Sequence, residues 1–463
     1  MRVRKRLQSE KIKEWDLGTN AAGELTTGGC STTDLCRIYG TPLHVVNEER
    51  LTKTADTFRE TMTRIYPGKV SVHYAFKCNP VPGIIQLIKN TGIKAEVMSE
   101  YELFMALKLG YSGADIVVNG PSKTENLIKA SLENKVRFIN ADSLSELEKI
   151  GRLCQEMNKK TDVLLRINPD FVPSGMNQGS AAAGRSGSSF GLDLKGGEVQ
   201  QAFEILKEMD RVTFRGFHLH IGSGIQKCDD YKKALSCLKN IVNYARESGF
   251  SIDVLDIGGG LGVPTSREMT TFELLMYEAF DFLPSITSPN SRISFSYFAE
   301  SVTKGIIKLF ENKGIPELIL EPGRCITSQN QMLLLKILQV KERKGVKKWI
   351  VADAGIGTLT MPTYYEIHEV VLCNEVNREL SDKVTISGPG CFTADVVYRN
   401  KKMPEIAPGE FIAILDSGAY FTSWESSFGY PRPAIVKALN GKHEIIRTRE
   451  PFEHMIALDN FQK

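Results

Sequence analysis

Eight strand candidates alternating with helical stretches predict an α/β fold: a (β/α)8 barrel of the TIM type, followed by a mostly-β second domain. Two further observations support this fold. The glycine-rich turn follows the seventh strand candidate, whereas a doubly wound dinucleotide-binding sheet would carry it after the first. After about residue 325 the alternation stops, and strand-like runs joined by short turns take over.

Residues 1–23 are expected to be an N-terminal extension of poor order. Residues 24–47 contain Thr41-Pro-Leu-His-Val-Val46, a strand-like run assigned with residues 326–463 to the β-domain. The barrel is expected over residues 48–325, with strands near 70–77, 94–99, 115–120, 136–141, 162–168, 213–221, 252–258 and 316–322. The first of these, Val70-Ser-Val-His-Tyr-Ala-Phe-Lys77, is rich in β-branched and aromatic residues. Glu100-Tyr-Glu-Leu-Phe-Met-Ala-Leu-Lys-Leu109 has apolar residues at helical spacing, and Ser99 three residues before Glu102 predicts a capping box. After the fifth strand, residues 172–189 form a Gly/Ser/Ala-rich loop, of a length associated with function or mobility. In the β-domain, strands are expected at Met332–Val340, Trp349–Ala352, Ile367–Leu372, Val384–Ser387, Phe411–Leu415 and Ile435–Ala438.

The 463 residues suffice for two domains, and a formal charge of +3 points to neither nucleic acid nor a membrane surface as partner. The basic first six residues are not followed by an apolar stretch, so no secretory signal is expected. No run approaches the roughly 20 apolar residues of a membrane span. Nine scattered cysteines without a Cys-x-x-Cys pair predict reduced thiols and a cytoplasmic location.

Chemistry in such barrels lies at the C-terminal strand ends. Lys77 ends the first strand; partial withdrawal from water would lower an amine's pKa and make it a nucleophile, while the plain alternative is a solvated charge. Asp256-Ile-Gly-Gly-Gly-Leu-Gly262 follows the seventh strand, and its Gly258, Gly259 and Gly260 either admit an anion to the backbone or simply make a tight turn. The sixth strand reads Phe217-His-Leu-His-Ile-Gly-Ser223. His218 and His220 share a face, but no strand end offers a clear third ligand, so no metal is expected. His220 is placed instead against a planar ring and Ser223 against a phosphate. The eighth strand ends Leu320-Glu-Pro-Gly-Arg324; Glu321 facing a pyridine nitrogen would keep it protonated, and Arg324 would clamp a carboxylate or phosphate, unless the two form a stabilising ion pair. In the β-domain, Gly388-Pro-Gly-Cys-Phe-Thr-Ala-Asp395 puts a thiol in a tight turn, and Ser417-Gly-Ala-Tyr420 opens a second motif. A free cysteine is commonly a small buried hydrophobe, which is the structural alternative for Cys391.

Together these motifs resemble the diaminopimelate/ornithine decarboxylase family of pyridoxal-phosphate enzymes, from about residue 40 to about residue 440. The resemblance implies that Lys77 binds the cofactor covalently and His220 stacks on its ring. It implies that Ser223, Gly258, Gly259, Gly260, Arg324 and Tyr420 surround the phosphate and that Glu321 pairs with the ring nitrogen. Cys391 would return a proton after carbon dioxide leaves, Asp395 would line the site, and the active unit would be a homodimer whose Cys391 segment crosses to the partner's site.

The chain departs from that family at two substrate positions. Phe392 stands where diaminopimelate and ornithine decarboxylases carry an acid. Met361 stands where diaminopimelate decarboxylases carry an arginine, although Tyr365 is kept. Apolar groups disfavour a charged tail. The loop at 172–189, followed by Ser189-Phe-Gly-Leu-Asp193, resembles a secondary-metabolism subgroup, which implies a conjugated amino acid, carrier-protein- or citrate-linked, in an antibiotic or siderophore pathway. Arg324, Met361, Tyr365, Phe392 and Asp395 are the expected substrate contacts. The alternatives are diaminopimelate decarboxylase itself, an inactive regulatory homologue, and a racemase.

Overall fold

A computed structural model describes residue 8 and residues 12–176, 182–284, 293–311, 314–360 and 366–460. The chain divides into two compact units. One comprises Met1–Lys53, Pro264–Pro289 and Thr327–Lys463; the other comprises Thr54–Val263 and Asn290–Ile326.

The second unit is a closed barrel of eight parallel strands: Val70–Ala75, Lys94–Val97, Ile116–Val118, Phe138–Ala141, Thr161–Asn168, Val212–Leu219, Val254–Asp256 and Glu317–Leu320. They neighbour one another in chain order, and the eighth pairs with the first, Leu318 opposite Val70. All eight expected strands are present. Several end before the apolar run does: the first stops at Ala75, and Phe76–Cys78 form a 3-10 turn that carries Lys77. Phe76 and Cys78 remain fully buried, so composition tracked burial rather than the end of the hydrogen-bond ladder. The capping box after the second strand is half formed. Ser99 Oγ accepts from the Glu102 amide at 3.2 Å, but the Glu102 carboxylate turns to the Met98 amide at 2.8 Å.

The first unit is built on a sheet ordered Val396–Pro404, Leu380–Ser387, Lys347–Ala352, Gln331–Arg343, Leu43–Asn47, Ala434–Leu439, Lys442–Arg447. Phe411–Ile414 pairs with both Gln331–Arg343 and Val370–Leu372. Alternate residues of the long strand serve different cores: Met332 and Leu334 join one buried cluster, Leu333, Leu335 and Ile337 the other.

The structure corrects four expectations. Residues 12–23 are not a loose extension: Ile12 and Trp15 are buried in the first cluster, and Gly18–Thr19 pairs with Leu25–Thr27. Residues 264–289 fall in the β-rich unit rather than the barrel, because Arg267–Glu268 pairs with Glu366–Ile367 and Arg399 bridges Glu278. The run expected as one strand at Ile367–Leu372 is interrupted at His368, whose ring lies within bonding distance of Leu415 O and Glu366. Val396–Pro404 and Lys442–Arg447 are two further strands, whose lysines, arginines and histidine mask the strand signal; Lys401 is buried there, its Nζ donating to Glu369 Oε1 at 2.6 Å. Met361 and Tyr365 lie outside the described residues, as does part of the 172–189 loop. Among the described residues no helix is long and apolar enough to cross a membrane.

Candidate active site

The first, sixth, seventh and eighth strands are consecutive around the closed ring. Segments far apart in the chain therefore meet at one end of the barrel. Lys77, His220, Ser223, Gly258, Gly259, Gly260, Glu321 and Arg324 all lie just beyond the C-terminal ends of these strands.

Lys77 Nζ donates to Glu96 Oε2 at 2.6 Å; the Lys77 side chain is 32% exposed while Glu96 is buried. Burial pushes the Glu96 carboxyl up, against the pull of Lys77. Asn119 Nδ2 donates to Glu96 Oε1 at 3.0 Å and to Glu321 Oε1 at 2.6 Å. Asn140 Nδ2 donates to Asn119 Oδ1 at 2.6 Å and fixes which way that amide faces.

Glu321 sits among buried neighbours. His218 Nε2 is 3.5 Å from Glu321 Oε2, and the ligand-type atoms of His218, Asp256 and Glu321 all lie within 4.8 Å of one another. Asp256 and Glu321 are thus the second and third groups beside His218, two strand-end neighbours that the sequence did not make clear; His220 is not among them. Two buried carboxyl groups this close cannot both ionise. Burial and the adjacent Glu321 push Asp256 well above the carboxylate range. Burial acts the same way on Glu321, but His218, Lys77 and a hydrogen bond from Asp256 outweigh it, so Glu321 holds the charge. A buried carboxylate held by donors is what a protonated ring nitrogen requires.

His220 Nδ1 accepts from the Gly259 amide at 3.3 Å, which places the ring proton on Nε2. Burial, helped by Arg166 and Lys77, lowers His220 to about 3, so its ring is neutral. A flat, uncharged imidazole suits stacking. The Gly258 amide donates to Asp256 Oδ1 at 2.8 Å. A Cβ on Gly260 would lie 2.0 Å from Gly222 O, so the turn lies flush on the neighbouring strand end and no side chain shields its backbone. Arg324, 6% exposed, brings a buried cation to the same end. The set fits an aromatic ring with an acidic partner, an anionic arm and an amine-reactive carbon.

Cys391, Phe392, Asp395 and Tyr420 lie in the β-rich unit. Cys391 is exposed, unlike the buried thiol of the structural alternative. Its turn is held by Asp395, which accepts from the Ile356 amide at 2.7 Å and the Gly390 amide at 2.8 Å. A Cβ on Gly355 would lie 2.0 Å from that carboxylate. Asp395 is 3% exposed, and both its oxygens serve the turn. Phe392 is 48% exposed, with its ring 6.0 Å from that of Phe428. Tyr420 has a φ of 65°, an uncommon backbone conformation for a tyrosine.

Sequence reasoning passed over Glu96, Asn119, Asn140, Asp142, Arg166 and Asp256. Arg166 Nη1 pairs with Asp142 Oδ1 at 3.1 Å, and its guanidinium stacks on Phe190 at 4.3 Å. All six sit at or just beyond C-terminal strand ends, as polar residues in apolar runs; that position was the available signal.

A barrel with an amine, a buried carboxylate and a glycine-rich turn together at its C-terminal face is the arrangement expected of a pyridoxal-type enzyme. The pyridoxal-dependent decarboxylase pyridoxal-binding domain matches residues 49–328, and the C-terminal sheet domain of the same enzymes matches residues 325–418. The chain belongs to the pyridoxal-dependent decarboxylase family. It is a carboxy-lyase, and its cofactor is pyridoxal phosphate. It is 28% identical to the diaminopimelate decarboxylase of Aquifex aeolicus, over 94% of this chain and 95% of that one. It is 29% identical to that of Archaeoglobus fulgidus, over 94% and 96%. The crystal structure of the M. jannaschii diaminopimelate decarboxylase in complex with L-lysine superposes with a TM-score of 0.86 at 28% identity, covering 96% of this chain and 98% of that one.

Proposed function

We propose that the chain removes the α-carboxyl group of diaminopimelate. The observation that carries this reading is the end-to-end match, over 94% of the chain, to enzymes named for that substrate, with the barrel constellation present around Lys77 and Glu321. Bound pyridoxal phosphate supplies an electron sink for the pair released as the bond to the carboxyl group breaks. Lys77 would hold the cofactor at its aldehyde carbon. Glu321 would keep a proton on the ring nitrogen, His220 would cover one ring face, and Gly258, Gly259, Gly260, Ser223, Arg324 and Tyr420 would hold the phosphate. Cys391 Sγ delivers a proton to the α-carbon.

Phe392 favours a second reading: an amide-, ester- or thioester-tailed amino acid, free or carrier-linked. A half-exposed phenyl ring beside Cys391 offers an ammonium neither a charge nor a hydrogen-bond acceptor. Carbon dioxide release from equal concentrations of meso-diaminopimelate, lysine, ornithine and an amide-capped diamino acid separates the two. The first reading expects diaminopimelate to lead; an amide-tailed substrate in first place replaces it with the second. In either case Phe392→Glu should raise kcat/KM for amine-tailed substrates about tenfold, the scale of one hydrogen bond to a charged group.

The reading includes a homodimer in which each Cys391 serves the partner's Lys77. Mixing inactive Lys77→Ala and Cys391→Ala proteins should then restore activity, approaching a quarter of wild type per site when subunits scramble freely, about the statistical share of intact pairings. No recovery under demonstrated subunit exchange makes each chain self-sufficient.

A further inference from the structure

Trp15 lies in a part of the chain that precedes both family domain matches, in the segment expected to be loose. It is instead 3% exposed, and its indole Nε1 donates to Asp416 Oδ2 at 2.9 Å across 401 residues of sequence. Asp416 is fully buried and also takes a left-handed conformation, φ 61°. Four residues on comes Tyr420, φ 65°. Two uncommon conformations this close require the surroundings to over-determine the turn.

The Ser417 amide donates to Gln331 O at 3.0 Å, Gln331 Nε2 donates back to Ser417 O at 3.3 Å, and the Gly418 amide donates to Ser328 O at 3.2 Å. Ser328 Oγ donates to Asp416 O at 3.2 Å. A Cβ on Gly418 would lie 1.8 Å from Thr327 O, so the turn is pressed against the segment that starts the long strand. These contacts fix the middle of the turn. The Asp416 side chain fixes where it begins, with Thr265 as a further hydrogen-bonding neighbour and the Arg50 charge nearby.

We infer that Trp15 is a positioning residue: its hydrogen bond to Asp416 sets the path of residues 416–420 and so the place of the Tyr420 hydroxyl. The consequence for the cofactor rests on the reading above that Tyr420 reaches the phosphate. Trp15→Phe keeps the buried ring and deletes only the donor, leaving a buried carboxylate with one partner fewer.

The test measures the affinity of cofactor-free protein for pyridoxal phosphate and for phosphate-free pyridoxal, by absorbance titration. Wild type, Trp15→Phe, Tyr420→Phe and the double variant are compared. Trp15→Phe should weaken pyridoxal phosphate binding about tenfold and leave pyridoxal binding unchanged. The double variant should be no weaker than Tyr420→Phe alone, because both changes act through one contact. An equal loss for both ligands means that Trp15 only supports the fold, which overturns the inference. So does an unchanged Trp15→Phe beside a weakened Tyr420→Phe. If Tyr420→Phe itself binds pyridoxal phosphate normally, the phosphate role of Tyr420 fails, and a selective loss in Trp15→Phe would then have to act elsewhere, which also overturns it.

Discussion

Lys77→Ala should lower decarboxylation at least about 10³-fold, within the range for loss of a positioned proton-transfer group, and more if covalent binding of the cofactor is the larger part. Lys77 is the amine on the first strand's exit turn, about one-third exposed and held by buried Glu96. Glu96 is itself tied through Asn119 to Glu321, so the Lys77 amine and the Glu321 carboxylate belong to one network. Borohydride treatment of the wild-type holoenzyme should fix the cofactor to the peptide containing residues 74–80 and bleach the visible band. A label recovered on another lysine, or turnover of Lys77→Ala near wild type, would remove Lys77 from its role.

Cys391→Ala should behave differently. Its turn lies in the β-rich unit, whereas Lys77, His220, Glu321 and Arg324, which are proposed to hold the cofactor, lie in the barrel unit. The cofactor band should therefore survive while turnover falls about 10²–10⁴-fold, the usual contribution of a general acid. Cys391→Ser should restore part of the rate, because the hydroxyl keeps a proton at nearly the same place. Because Asp395 and not Cys391 holds the turn's amides, the alanine variant should also melt within a degree or so of wild type, as surface changes usually do. Near-normal turnover with normal product would make Cys391 a structural residue.

Much of the barrel site was legible because its residues sit in short motifs at strand exits. Lys77, His220, Gly258–Gly260, Glu321 and Arg324 each carry a local signature in which residue type and strand end coincide. Glu96, Asn119 and Asn140 were not legible. Each is a single polar residue in an apolar strand end, and its meaning depends on which other strand ends stand beside it. Asp395 was legible as important but not for its geometry: the family resemblance gave it a place lining the site, whereas its carboxylate accepts from the Ile356 and Gly390 amides.

The sequence by itself determined the alternation that makes a barrel, the order of its eight strands, the switch to a β-rich unit and the residue types for pyridoxal chemistry. These are properties of periodicity and of local motifs, which a chain carries without reference to its folded neighbours. Only the tertiary structure decided three things. The link from Lys77 through Glu96 and Asn119 to Glu321 exists because the folded barrel sets these strand ends side by side. The crowding of Asp256 against Glu321 settles which carboxyl keeps its proton, since burial and proximity, not residue type, set that balance. And Trp15, 401 residues before its partner, reaches Asp416 only because the chain's start packs into the β-rich core; no local pattern records a contact at that separation.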